Sequence, residues 1–305
     1  MSDLINLENV TRLYDDFQAL KKVSLNVEKG HIFGYLGQNG SGKTTTIKLI
    51  LGLISPNSGE VKILGTDPYP ETVEAKNARK QIGFMLEMDG LYGNLTGLDN
   101  LIYWAKLYGM KNKTAEKEAK KIIKLLKLTD ASEDYVKGYS FGMRKRLSLG
   151  RALVSNPDIL VLDEPTVGVD PESRYLIRSL MKKLSKEGKT IFFSSHDLEE
   201  VQKVCTHIAI LKKGKIISQG TLKDVLNNFG RQKTFIRTKH EADAKNLISK
   251  LTKLGYSPDY DGHVISFCPK KVLNIHKLSD DILDTWNTTL SLEDVYLGLI
   301  KDNED

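Results

Sequence analysis

Ile32-Phe33-Gly34-Tyr35-Leu36-Gly37-Gln38-Asn39-Gly40-Ser41-Gly42-Lys43-Thr44 starts as an apolar run and ends as a glycine-rich loop carrying a lysine and a hydroxyl. The run reads as a short buried strand. Beyond the loop, Ile47, Ile50, Leu51 and Ile54 recur at helical spacing until Ser55-Pro56-Asn57-Ser58-Gly59 stops the helix. Residues 37–44 satisfy G-x-x-x-x-G-K-[ST], and strand-before, helix-after is the context that pattern requires. Gly37, Gly40 and Gly42 permit turns and close approaches that a Cβ forbids, so that successive N–H groups converge on phosphate oxygens at a helix N-terminus. Lys43 is placed to neutralise β- and γ-phosphate charge, and the Thr44 hydroxyl suits Mg²⁺. A Rossmann dinucleotide site is excluded, because Gly34, Gly37 and Gly40 have G-x-x-G-x-x-G rather than G-x-G-x-x-G spacing.

Phosphate chemistry of this kind needs a second, acidic strand end, and Ile159-Leu160-Val161-Leu162-Asp163-Glu164 supplies it. Asp163 is expected in the metal shell and Glu164 as the base that polarises the attacking water. A further apolar strand ends Phe192-Phe193-Ser194-Ser195-His196, which puts His196 within reach of a γ-phosphate. No Asn-Lys-x-Asp guanine-reading motif occurs, so adenine is the expected base.

Around these motifs, Val23, Leu25 and Val27 alternate as a strand. Strands are expected near Val61–Leu64, Ile82–Leu86 and Thr190–Phe193, and helices over 96–128 and Glu172–Lys186. Alternating strand and helix predicts an α/β core with a parallel sheet covered on both faces and a helical insertion. After Gly220 the pattern changes to a strand at Thr234–Arg237, a helix over Glu241–Leu254, a strand near His263–Phe267 and a closing helix begun by Ser291-Leu292-Glu293-Asp294. This is a small α+β unit over 221–305, after a first domain over 1–220.

The 305 residues carry a net charge of +6. With 12 basic and 13 acidic residues after Gly220, the positive excess lies in the first domain. Cys205 and Cys268 lack C-x-x-C spacing, which argues against a disulfide framework or zinc site. No leader and no window of about 18 uncharged residues is seen, so the expected location is cytoplasmic, with any membrane role exerted through a partner.

With phosphate loop, carboxylate strand and histidine in this order, residues 1–220 resemble the ATP-binding subunits of ABC transporters; Tyr139-Ser140-Phe141-Gly142-Met143-Arg144-Lys145-Arg146-Leu147-Ser148 looks like that family's signature segment. The resemblance implies a P-loop NTPase cassette with a RecA-like core, an antiparallel β subdomain and a helical subdomain over about 88–150. It implies ATP and Mg²⁺ as ligands. Tyr14 matches the aromatic that stacks on adenine, and Gly37, Gln38, Asn39, Gly40, Ser41, Gly42, Lys43, Thr44 and Thr45 match the phosphate loop. Glu87 matches the Q-loop position, a metal ligand beside Thr44 and Asp163. Ser140 and Gly142 match the signature's phosphate-facing positions, Val167 to Asp170 the D-loop, and His196 the switch histidine.

Such cassettes pair so that each phosphate loop is completed by the signature of the other subunit; with one loop and one signature here, a second ATP-binding subunit is implied, expected to be another copy of the chain. Four departures stand out, of which the first, Gln38 in place of the proline common in the loop, adds a backbone donor and is expected to be harmless. Glu87 replaces the usual glutamine, and Phe141 and Met143 replace glycine and glutamine, with Phe141 expected to face away from nucleotide. The Tyr-Ser-x-Gly-Met form and the C-terminal unit resemble ATPases of bacterial drug and bacteriocin (lantibiotic-type) exporters. The permease is expected to dock on the helical subdomain near Glu87.

The lysines between Lys106 and Lys127 invite a nucleic-acid reading, but Ile122, Ile123, Leu125, Leu126 and Leu128 mark an amphipathic helix whose other face is solvated, and no nucleic-acid partner is expected. The alternative function is a soluble ABC ATPase switching on ribosomes or DNA. Translation members of that kind carry two cassettes per chain and DNA-repair members a long coiled coil after the phosphate loop; neither occurs here.

Overall fold

The computed structural model describes residues 3–228, 232–269, 278–279 and 281–302. The chain divides into two compact units, Met1–Gly220 and Thr221–Asp305.

The first unit opens with a hairpin, β1 (Asp3–Tyr14) and β2 (Phe17–Glu28), closed where Tyr14 faces Phe17. β3 (Ile32–Leu36) is buried along its whole length and leads through the glycine loop into α1 (Lys43–Ile50). β4 (Ser58–Ile63) returns to pair antiparallel with β1, giving a three-stranded sheet in the order β2-β1-β4. Then follow α2 (Val73–Lys80), β5 (Ile82–Met85) and three helices, α3 (Gly97–Leu107), α4 (Asn112–Leu125) and α5 (Phe141–Leu153). The core resumes with β6 (Ile159–Asp163), α6 (Pro171–Lys186), β7 (Thr190–Ser195), α7 (Leu198–Val204), β8 (His207–Lys212) and β9 (Lys215–Thr221).

The main sheet runs β5-β6-β7-β3-β8-β9, and its first five strands are parallel. β3, β6 and β7 are buried throughout, as strands covered on both faces must be, which explains their near-continuous apolar sequences. Leu36 lies opposite Ser195, Asp163 opposite Ser194 and Met85 opposite Leu162. The loops that leave β3, β5, β6 and β7 therefore emerge together at one edge, where ligands bind in open parallel sheets.

Two polar residues singled out by motif begin helices. The Ser140 hydroxyl accepts from the Met143 N–H at 3.2 Å, and the Asp170 carboxylate accepts from the Ser173 N–H at 2.8 Å, with Pro171 at the first helical position. The Ser173 bond holds the Asp170 carboxyl below the usual carboxylate range.

The second unit contains α8 (Leu222–Asn228), β10 (Gln232–Thr238), α9 (Glu241–Lys253), β11 (Asp259–Asp261), β12 (Val264–Phe267), β13 (Ile282–Thr289) and α10 (Leu292–Asp302). Its antiparallel sheet is ordered β11-β12-β10-β13, with Ile236, Ala244, Leu247, Leu251, Ile265 and Phe267 as its core. β13 has no counterpart in the sequence reading, because Asp284, Asn287 and three threonines hide any apolar alternation.

Candidate functional site

The shared strand edge frames a cavity of about 640 Å³. Of the residues predicted from sequence, Tyr14, Asn39, Gly40, Gly42, Lys43, Thr44, Thr45, Glu87, Asp163, Glu164 and His196 line it. Gly37, Gln38 and Ser41 shape the loop behind. A Cβ on Gly37 would lie 2.4 Å from Ser41 Oγ and 2.6 Å from the Leu211 carbonyl, so only glycine lets β3 turn so tightly. Gly42 caps α1 at φ +112°, and a Cβ there would meet Leu20 and the Ala19 carbonyl.

Lys43 is buried and its Nζ donates to the carbonyls of Gly37, at 2.8 Å, and Gln38, at 3.3 Å. It also stands 3.5 Å from Glu164 Oε1. Thr44 Oγ1 donates to Asp163 Oδ2 at 3.2 Å, while Ser194 Oγ donates to Asp163 Oδ1 at 2.5 Å. Glu164 takes φ +47°, a left-handed conformation costly for a side chain with a Cβ, and its N–H is held by Ser194 Oγ at 3.0 Å. That twist turns Glu164 out of the strand: Oε1 lies 3.0 Å from His196 Nδ1, whereas Oε2 is buried without a protein partner. Ser41 Oγ is likewise buried and unpartnered. A carboxylate with one oxygen free of protein partners, beside a lysine, a hydroxyl and a second carboxylate in the cavity wall, is what a metal-bound nucleotide and its attacking water require. The donor set fits Mg²⁺, an ion bound through one or two oxygen ligands and the substrate's phosphates; among the described residues no cluster of three His, Cys, Asp or Glu forms a self-sufficient metal cage.

Ser140, Gly142 and Asp170 are not in the cavity wall. Gly142 and Asp170 meet outside it, where a Cβ on Gly142 would run into the Asp170 carboxylate, and Ser140 caps the same helix two residues earlier. Phe141 corrects the expectation that it faces away, for it lines the cavity and its ring packs against Gly168. Phe17, Ala19 and Lys145 also line it and were missed, and Val167, expected in the D-loop, lines it too. Phe17 had a signal, since the hairpin that presents Tyr14 must present its cross-strand partner too. Arg12 stacks on Tyr14, 4.9 Å from the ring centre, while Phe17 is 63% exposed and free to cover a base.

The fold and this cavity define a P-loop nucleoside triphosphatase. The model of the family described as ABC transporter matches residues 20–167. The linearmycin resistance ATP-binding protein LnrL of Bacillus subtilis (strain 168) is 37% identical over 227 residues, 74% of this chain and 72% of that protein. The bacitracin transport ATP-binding protein BcrA of Bacillus licheniformis is 38% identical over 220 residues, 72% of this chain and 70% of that protein. A dimeric ATP-binding cassette solved in a post-hydrolysis state with ADP and Pi superposes with a TM-score of 0.66 at 29% identity, over 72% of this chain and 98% of that one. The chain belongs to the ABC transporter family, as an ATP-binding and ATP-hydrolysing subunit. ABC cassettes act as dimers with membrane permeases. Among the described residues no helix is long and apolar enough to cross a membrane.

Proposed function

We propose that the chain powers export of a drug, antimicrobial peptide or similar amphipathic substrate, working as a homodimer bound to a separate permease at the cytoplasmic face of the membrane. The observation that carries the chemical part is the meeting of Lys43, Asp163, Glu164 and His196 at one strand edge. The names of LnrL and BcrA support the export part.

Lys43 and the loop N–H groups bind the phosphates, and Tyr14 with Phe17 flanks the base. Thr44 and Asp163, with Glu87 at the rim, would hold Mg²⁺, which supplies charge stabilisation to the reacting phosphate. Glu164 takes its place as general base through its unpartnered Oε2. His196 holds Glu164 Oε1 and fixes the carboxylate's rotation. Ser140, Gly142 and Asp170, none of them in the wall of the chain's own cavity, would close the cavity of a second copy, where the N-terminus of α5 offers an anion site. Exposed Met88, next to Glu87 in the chain, with exposed Tyr92, Tyr103 and Leu107 of the helical subdomain, offers apolar surface for a permease segment.

Affinity capture of the full-length chain from membranes in mild detergent tests this reading. Co-purification of a polytopic permease is expected, and recovery of ribosomal proteins alone refutes it. We also assign residues 221–305 an accessory, regulatory role: deleting them is expected to change transport or dimerisation while ATP affinity stays within about twofold, and global unfolding of the remainder would show that they belong to the core.

A further inference from the structure

His196 is 49% exposed and meets Glu164 Oε1 through Nδ1 at 3.0 Å, so packing does little to place its ring. Its position is set by the backbone on either side. Upstream lies β7; downstream, α7 has only seven residues, too few to keep a helical shape without tertiary contacts. One tie is apolar. Val201 and Cys205 pack so closely on β3 that a Cβ on Gly34 would lie 2.9 Å from the first and 2.6 Å from the second.

The other tie is ionic and runs through Glu200, which is 3% exposed. Its Oε1 accepts from Arg178 Nη1 at 2.8 Å and stands 3.8 Å from Arg174 Nη1. Arg174 Nη1 is also 3.5 Å from Asp197 Oδ2, and Asp197 Oδ1 accepts the Glu200 N–H at 3.0 Å as the cap of α7. Two arginines four residues apart on α6 thus meet two carboxylates at the start of α7, and Glu200 contacts all three of the others. A charge so deep is costly. Burial pushes the Glu200 carboxyl above its ordinary range, Arg178 and Arg174 draw it back down, and its Oε2 is buried without a protein partner.

The helix that supplies the arginines begins at Pro171, directly after residues 167–170, and the Arg174 N–H donates to the Asp170 carbonyl at 2.9 Å. Val167 and His196 line one cavity. The segments that carry them are therefore joined through the first turns of α6 and α7, with Glu200 as the buried member of the joint. The mechanism above gives Glu200 no part.

We propose that Glu200 is a positioning residue for hydrolysis: by locking the first turn of α7 to Arg178 and Arg174 of α6, it sets His196 against Glu164. This rests on the reading of Glu164 as the general base. Glu200 touches neither nucleotide nor water in this role, so its loss reaches turnover through His196 and leaves nucleotide binding intact.

The test measures three things on the full-length chain: ATP turnover at saturation, equilibrium binding of a fluorescent ATP analogue, and the ring resonances of isotope-labelled histidine, with the His196 signal assigned by its loss in His196→Ala. Glu200→Ala is expected to lower turnover about tenfold, to leave analogue affinity within about twofold, and to move the His196 signal towards its position in Glu164→Ala, where its partner is gone. Glu200→Gln keeps the shape and an acceptor for Arg178, and should lose no more than about threefold in turnover. Unchanged turnover in Glu200→Ala overturns the proposal, as does lowered turnover with the His196 signal unmoved. Should Glu200→Ala fail to fold, Arg174→Gln decides, on a side chain 34% exposed. It is expected to lose about threefold in turnover with the His196 signal displaced, and wild-type turnover there overturns the proposal. Glu164→Ala separates the two readings: near-normal turnover in that variant sinks the general base, whereas its inactivity beside full turnover in Glu200→Ala sinks only the role of Glu200.

Discussion

Two walls of the nucleotide cavity are built in different ways. On one side, Asp163, Glu164 and His196 stand at or one residue past the C-terminal ends of buried parallel strands, Lys43 begins the helix that the loop after β3 leads into, and the register of β3, β6 and β7 aligns them. On the other, Phe141 and Lys145 stand on a helix of the helical subdomain, aligned by side-chain ties from Arg144, Ser148 and Arg151 to residues 84–89. A strand register is a cooperative ladder that cannot shift by a fraction of a residue, whereas a few side-chain bonds can be remade singly. Chemistry is therefore expected to reside in the strand-end wall, and tuning of affinity and coupling in the helical one.

Glu164→Gln is the hardest test of that contrast. It is expected to lower ATP turnover by about 10²- to 10⁴-fold while nucleotide binding persists, measured as phosphate release beside equilibrium binding. Near-normal turnover would remove the strand-end wall's claim to the chemistry. Next in size, Lys43→Ala forfeits charge-assisted bonds to phosphate and should weaken ATP binding about a hundredfold in a direct titration. Smaller still, Phe17→Ala at the mouth of the cavity should cost about three- to tenfold in affinity for ATP with little change in turnover at saturation. Equal weakening for free triphosphate would show that Phe17 acts on the loop and not on the base.

Much of the strand-end wall was legible in advance, because phosphate chemistry demands particular residues in consecutive positions. Gly37 to Thr44 must sit on one loop, and Asp163-Glu164 must follow an apolar run. The same local logic located most strands of the parallel sheet, whose apolar sequences have no polar face to confuse them. It failed at β13, whose sequence is polar and whose strand character comes from pairing with β10. It also failed at Phe141: a position judged from the signature alone says nothing of Gly168, the glycine that leaves room for its ring.

By itself, the sequence determined the glycine-rich loop, the carboxylate pair that follows an apolar strand, and the strand-helix alternation that presents them, since each depends on neighbours in the chain. Only the tertiary structure decided that Glu164 turns out of its strand at positive φ with one oxygen unpartnered, that Gly142 and Asp170 meet outside the chain's own cavity, and that Phe141 and Lys145 of α5 line the same cavity as the phosphate loop. Those outcomes depend on which helix packs against which strand end.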